Sequence, residues 1–164
     1  MSRSARHSRG LAAGVRAAAT AGGLLVFLAG CGAAPVSTEP PRPTGAAATA
    51  CRALLSDLPD TVQGQDARPV EPADALAAAW GDPPIVLRCG VERPARLRPS
   101  SPCLEVDGVG WFPQQAARGH LFTTVGRSAY VEVAVPEAYQ PAAEPLVDLA
   151  DAIRRHIPER RPCQ

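Results

Sequence analysis

A chain of 164 residues has room for one domain and its terminal appendages. All 17 of its basic side chains are arginine, with no lysine and no asparagine anywhere, a bias that fits GC-rich coding. Arg3, Arg6, Arg9 and Arg16 precede Cys31 without an acid among them, so a chain starting at Cys31 carries 13 Arg against 16 acids, a charge of −3. That balance argues against nonspecific attachment to nucleic acid or to anionic surfaces, and no nucleic-acid partner is expected.

Ser2 to Arg16 reads as a basic n-region, and Ala17 to Leu28 as an apolar h-region containing Leu24-Leu25-Val26-Phe27. About 12 apolar residues is signal-peptide length, whereas a spanning helix needs roughly 20. Leu28-Ala29-Gly30-Cys31 follows directly and has the order of a lipobox, with cleavage between Gly30 and Cys31 and lipidation of Cys31. Residues 1–30 are thus expected to be a lipoprotein signal peptide, and acyl chains of the palmitate type on Cys31 would hold the product in the cell membrane at its extracytoplasmic face. Each buried methylene contributes about 0.8 kcal/mol, and two or more chains anchor stably where one does not. The rival reading is an ordinary secretory signal with an incidental cysteine.

Residues 31–50 form the lipidated Cys31 and a Pro/Ala-rich stretch with almost nothing large to bury, expected to be a disordered linker. As a flexible coil, about 19 residues average roughly 25 Å end to end. The globular domain is then expected over 51–164. Thr49 is placed to cap a short helix from Cys51 to Leu58, which Pro59 ends. Asp60 to Pro72 lacks periodicity and reads as mostly extended loop. Ala73 to Trp80 is open between helix and strand, because its alanines favour helix while Gly81-Asp82-Pro83-Pro84 turns straight into the strand Ile85 to Cys89.

Arg93 to Pro102 is a polar loop. Leu104-Glu105-Val106 and Val109-Gly110-Trp111 flank Asp107-Gly108, the residue pair a type I′ hairpin turn requires. Leu121 to Val125 and Tyr130 to Val135 make a second hairpin around Gly126-Arg127, with Val131, Val133 and Val135 alternating toward one buried face. From near Pro141 a last helix places Leu146, Leu149, Ala150, Ile153 and Ile157 on one side, acids early and Arg154, Arg155 and His156 late, as its dipole favours. The order implies an α+β fold: a small two-layer, disulfide-bonded domain whose mostly antiparallel sheet is packed by an N-terminal and a C-terminal helix.

With Cys31 taken by lipid, Cys51, Cys89, Cys103 and Cys163 remain, an even number suited to an oxidising compartment. None stands in a Cys-x-x-Cys pair, so disulfides are favoured over zinc, and no metal or other cofactor is expected. Of three possible connectivities, the expected one joins Cys89 to Cys103 and Cys51 to Cys163, loops worth about 3 and nearly 5 kcal/mol in the chain-entropy picture.

The blocks Ala78-Ala79-Trp80-Gly81-Asp82-Pro83-Pro84-Ile85-Val86-Leu87-Arg88-Cys89-Gly90-Val91, Cys103, Val109-Gly110-Trp111, Phe122 to Arg127, Tyr130 to Val133 and Pro162-Cys163 resemble an actinobacterial lipoprotein family, domain of unknown function family 3515 (DUF3515). The resemblance spans most of Cys51 to Cys163 and extends to the signal, the lipobox and the four later cysteines. It implies place and fold, and brings no activity with it.

Catalytic signatures are missing. There is no Gly-x-Ser-x-Gly, Ser-x-x-Lys or His-Glu-x-x-His, and the cysteines are better read as bridged than as nucleophiles. Glu105 and Asp107 share a strand face, but Gly108 marks Asp107 as turn chemistry. His156 reads as a surface residue favoured by the helix dipole. Trp80, Arg88, Trp111 and Arg127 are residue types that anchor partners and form the candidate ligand or partner surface; the alternative makes the tryptophans core and Arg127 a tie between strands. The expectation is a non-enzymatic, membrane-anchored binding module of the cell envelope, its partner an unknown envelope protein or ligand. The alternatives are an envelope assembly or scaffold factor without a ligand site, and a hydrolase of an envelope polymer using His120 and a carboxylate.

Overall fold

Val131, Val133 and Val135 occupy the middle of the protein, as their alternation predicts. A computed structural model describes residues 33–163, so the signal peptide, its Gly30/Cys31 cleavage point and the lipidation of Cys31 lie outside the described residues. Strand β10 (Tyr130–Pro136) carries these valines between β6 (Ile85–Val91) and β9 (Gly119–Thr124), antiparallel to both. The sheet widens to eight strands in the order β2-β3-β5-β6-β10-β9-β8-β7, where β2 is Thr61–Val62, β3 Gln65–Arg68, β5 Ala77–Trp80, β7 Leu104–Val106 and β8 Val109–Ala116. The fold is α+β with a mostly antiparallel sheet, two helices and two disulfides.

One face of the sheet is apolar. Trp80, Ile85, Leu87, Cys89, Val109, Trp111, Phe122, Val131, Val133 and Val135 join Leu54 of α1 (Gly45–Leu55) and Leu146, Leu149, Ala150 and Ile153 of α2 (Pro145–His156) in a single core. The period of two puts the intervening Arg88 and Glu132 on the opposite face, directly across from each other in register. Helix α2 follows its expected pattern, with Pro145 at its start, Asp148 in the first turn and Arg154, Arg155 and His156 in the last. In the turn between β7 and β8, Asp107 and Gly108 both have positive φ, 46° and 73°, as a type I′ turn demands.

Four expectations are corrected. Much of the described part of the segment expected to be linker, residues 33–50, is built into the fold. β1 (Val36–Ser37) pairs in parallel with β4 (Val70–Glu71), and Arg68 Nη2 donates to the Ala34 carbonyl at 2.6 Å. Helix α1 starts at Gly45, one and a half turns before Cys51, with Thr44 in the extended N-cap position. Alanine loses almost no side-chain entropy in a helix, so Ala46-Ala47-Ala48 extends the helix with no large side chain to announce it. Thr49 is inside that helix, its hydroxyl 3.5 Å from the Gly45 carbonyl, and caps nothing.

Between Asp60 and Pro72 the chain makes three short strands where a loop is expected. Strands of two to four residues are too short to show alternation. Ala77–Trp80 resolves as strand, forming the hairpin with β6 across Gly81 to Pro84.

The disulfide pairing also differs. Cys51 is bonded to Cys89, and Cys103 to Cys163, with Cα separations of 5.5 and 5.9 Å. The reason is strand order. Cys89 is on β6 beneath α1, whereas Cys103 leads into β7 at the sheet's edge, four strand spacings or about 19 Å away. A disulfide spans Cα atoms only about 4.4–6.8 Å apart, so Cys89 and Cys103 cannot meet.

Candidate functional site

Of the four residues expected to form a surface, two are interior. Trp80 and Trp111 are fully buried and belong to the one core shared by the sheet and the two helices. Trp80 Nε1 donates to the Pro59 carbonyl at 3.0 Å, while Trp111 Nε1 has no acceptor. Their burial follows from their inward register on β5 and β8, opposite the two helices. Arg88 is committed to Glu132, to which both its Nε and Nη2 donate across the outer face of the sheet. Arg88 also borders a shallow cavity of about 380 Å³ with Glu39, Arg42 and Glu92, whereas Arg127 borders one whose lining carries no acidic side chain.

That cavity is a groove of about 560 Å³ built from three segments: the loop 93–103 after β6, the turn 125–127 between β9 and β10, and the tail 160–163 after α2. The loop folds on itself through Arg93 Nη2 to the Leu97 carbonyl (2.7 Å), Arg98 Nη1 to the Ala95 carbonyl (2.6 Å) and the Arg98 amide to Ser101 Oγ (2.8 Å). The tail is held to the turn by the Arg160 and Arg161 amides, which both donate to the Gly126 carbonyl, and by the Ser128 amide, which donates to the Pro158 carbonyl. Cys103–Cys163 then ties tail to loop. Gly110 on β8 leaves room for it: a Cβ there would stand 2.9 Å from Cys163 Sγ.

Five arginines line this groove, Arg93, Arg98, Arg127, Arg160 and Arg161, and among the described residues no aspartate or glutamate does. The ion pairs among the described residues use other cations: Arg68 with Asp82, Arg88 with Glu132, Arg154 with Asp151, and Arg155 and His156 with Asp57. Arg127 bridges the walls, donating from Nη1 to the Ile157 carbonyl (2.8 Å) and from Nη2 to the Gly108 carbonyl (2.6 Å). Burial lowers its pKa and neighbouring Arg154 adds to that, against the charge of Glu159. A guanidinium stays protonated under such a perturbation, so the groove keeps five positive charges on a domain of net charge −3.

A second cavity of about 700 Å³ brings His120 and Glu137 to the same walls, with Arg118, Pro83, Pro84 and Pro136. His120 Nδ1 has no partner there, its ring lies 6.1 Å from that of Phe122, and no hydrogen bond joins it to Glu137. No hydroxyl, thiol or amine side chain lines this cavity. His156 is not an isolated surface residue: its Nε2 lies 2.8 Å from Asp57 Oδ2, which also accepts from Arg155 Nε at 2.8 Å. Among the described residues no group of three His, Cys, Asp or Glu side chains is placed to hold a metal ion, and no helix there is long and apolar enough to cross a membrane.

Sequence reading missed the groove because its arginines lie in three separate stretches, 93–98, 127 and 160–161, in a chain whose every basic residue is arginine. The Gly126 carbonyl, which accepts from the Arg160 and Arg161 amides, and the Cys103–Cys163 bond bring them together.

The molecule is therefore a small, doubly bridged α+β domain with an arginine-lined groove at one end of its sheet. Residues 12–162 match the family described as Protein of unknown function (DUF3515), and the chain belongs to that family. Comparison with curated proteins and with solved structures finds no match.

Proposed function

We propose that this chain is a lipoprotein held at the extracytoplasmic face of the cell membrane through an acylated Cys31, and that it works there as a non-enzymatic binding module whose ligand site is the arginine groove. The observation that carries the reading is the segregation of charge: five of the 13 arginines after Cys31 line one groove, and none of the 16 acids does. Like charges gathered at one place lower stability; Glu159 offsets part of this at Arg127, and a ligand of opposite sign would compensate the rest. The lipobox and the two disulfides support the location, since such bonds persist where thiols oxidise.

A photo-crosslinking residue at Ser101, on the groove wall, tests the reading in intact cells against the same residue at Arg52 on α1. A discrete ligand or partner joined through position 101 and lost in Arg160→Gln/Arg161→Gln is expected. Equal labelling from both positions refutes the groove as the site. Mass spectrometry of the purified chain tests the anchor, with a diacylated amino-terminal Cys31 expected.

An envelope assembly factor without a ligand site is the second reading, favoured by the burial of Trp80 and Trp111 in the core rather than on a surface. It predicts no groove-dependent crosslink.

A further inference from the structure

We infer that the groove is a site for clustered phosphate groups, an inference that rests on the binding-module reading and gives its ligand a chemical class. Three features set that class. The first is charge number: a lone carboxylate would leave at least four of the five guanidinium charges uncompensated, whereas two linked phosphates answer several at once. The second is shape. A volume of about 560 Å³ is within the range of small-molecule sites and accommodates a diphosphate ester or a phosphate-rich headgroup. The third is the donor type. Planar guanidinium forks pair bidentately with phosphate oxygens, and arginine is the side chain suited to that recognition.

The walls are also held in place before any ligand arrives. Arg160 and Arg161 belong to a tail fixed by two amides on the Gly126 carbonyl, Arg93 and Arg98 to a loop closed on its own carbonyls, and the Cys103–Cys163 bond joins the two. Arg127 lies between them with two of its nitrogens on backbone carbonyls. A surface accumulation of charge would not need this bracing. A preorganised site spends less entropy on closing around its ligand.

Linked phosphates at a membrane face have two sources, a soluble phosphate ester and the headgroup of an anionic lipid. The test uses the full oxidised chain with Cys31→Ala, so that no acyl group confuses the vesicle arm. Pyrophosphate, citrate, phosphatidylglycerol vesicles and phosphatidylcholine vesicles are each titrated and followed calorimetrically. Pyrophosphate is expected to bind at least tenfold tighter than citrate. Arg160→Gln/Arg161→Gln on one wall and Arg93→Gln/Arg98→Gln on the other should each weaken it tenfold or more, while Arg52→Gln/Arg118→Gln, which removes equal charge elsewhere, should leave it within twofold. Near-UV circular dichroism identifies any variant that has lost its packing, and the second wall then decides.

Binding to phosphatidylglycerol but not phosphatidylcholine vesicles, with the same sensitivity to groove variants, assigns the lipid headgroup as the source. Pyrophosphate binding without vesicle binding assigns the soluble ester. Citrate binding as tightly as pyrophosphate overturns the phosphate inference and leaves an anion-binding groove standing. Failure of every anion and vesicle to bind, or binding that ignores both wall variants, overturns the site itself.

Discussion

Arg161 lies against Gly126 so closely that a side chain at 126 has no room. The Arg161 amide donates to the Gly126 carbonyl at 2.9 Å, and the Arg161 carbonyl occupies the position where a Cβ at 126 would project. Gly126 also has φ +69°, a conformation L side chains rarely adopt. Gly126→Ala is therefore expected to cost about 1–3 kcal/mol and to detach the tail from the turn. Chemical denaturation reads the first effect. Hydrogen exchange at the Arg160 and Arg161 amides reads the second, and protection as slow as in the parent chain would contradict the contact.

The two disulfides make distinct predictions. Peptide mapping without reduction should recover Cys51 joined to Cys89 and Cys103 joined to Cys163. The sequence separations are 38 and 60 residues, so chain entropy assigns each roughly 4 kcal/mol. Cys51 on α1 and Cys89 on β6 are both fully buried. Replacing that pair with serine, which also leaves two hydroxyls in the core, should cost more than replacing Cys103 and Cys163, by about 1–3 kcal/mol in denaturant titration.

Arg88 and Glu132 form a partly buried pair, with side-chain exposures of 27% and 12%. Arg88→Ala leaves the Glu132 carboxylate without its partner and is expected to destabilise by about 1–3 kcal/mol. A double-mutant cycle with Glu132→Ala should return a coupling of about 1 kcal/mol or more. Additive single losses would show that the pair contributes nothing beyond its separate parts.

The tryptophans separate core from surface. Trp80→Phe removes a donor from the Pro59 carbonyl as well as indole volume, while Trp111→Phe removes a donor that has no acceptor. The first should cost about 1 kcal/mol more than the second. Neither change should alter ligand binding. Loss of binding with unchanged stability in either variant would restore the tryptophans to the surface.

Asp57 predicts an acid limit. Hydrogen bonds from Arg155 first and His156 second hold its pKa below the ordinary 3.8. A depressed carboxylate stabilises fully above its unfolded pKa, and that contribution is lost as pH falls through the folded value. The melting temperature of the parent chain should therefore fall more steeply below about pH 4 than that of Asp57→Asn. Parallel curves between pH 2 and 5 would exclude the contribution.

How much of this was legible in the sequence depends on element length. Val131, Val133 and Val135 and the apolar side of α2 declare themselves because each repeats a period, and Asp107-Gly108 because a type I′ turn needs positive φ at both positions. The start of α1 at Gly45 was hidden by a run of alanines that also fits a linker. The strands at Val36, Thr61 and Val70 were hidden by their brevity. The pairing of Cys103 with Cys163 is a consequence of strand order, which places β7 at an edge far from β6, and order is not written in any local pattern. Arg127 stands out in the sequence as a candidate, but the groove's other arginines lie 29 to 34 residues away along the chain, so only the assembled fold makes them a site.

Four residues lie between Cys31 and Val36, and the five Cα-to-Cα steps reach at most about 17 Å. With Cys31 acylated, so short a leash turns the search for any ligand in the same leaflet into a two-dimensional one at high effective concentration. The groove can then be well occupied at an intrinsic affinity that looks feeble in free solution. Lengthening the leash with an inserted Gly-Ser stretch before Val36 should dilute that advantage and lower occupancy on the membrane, while leaving the solution Kd where it was.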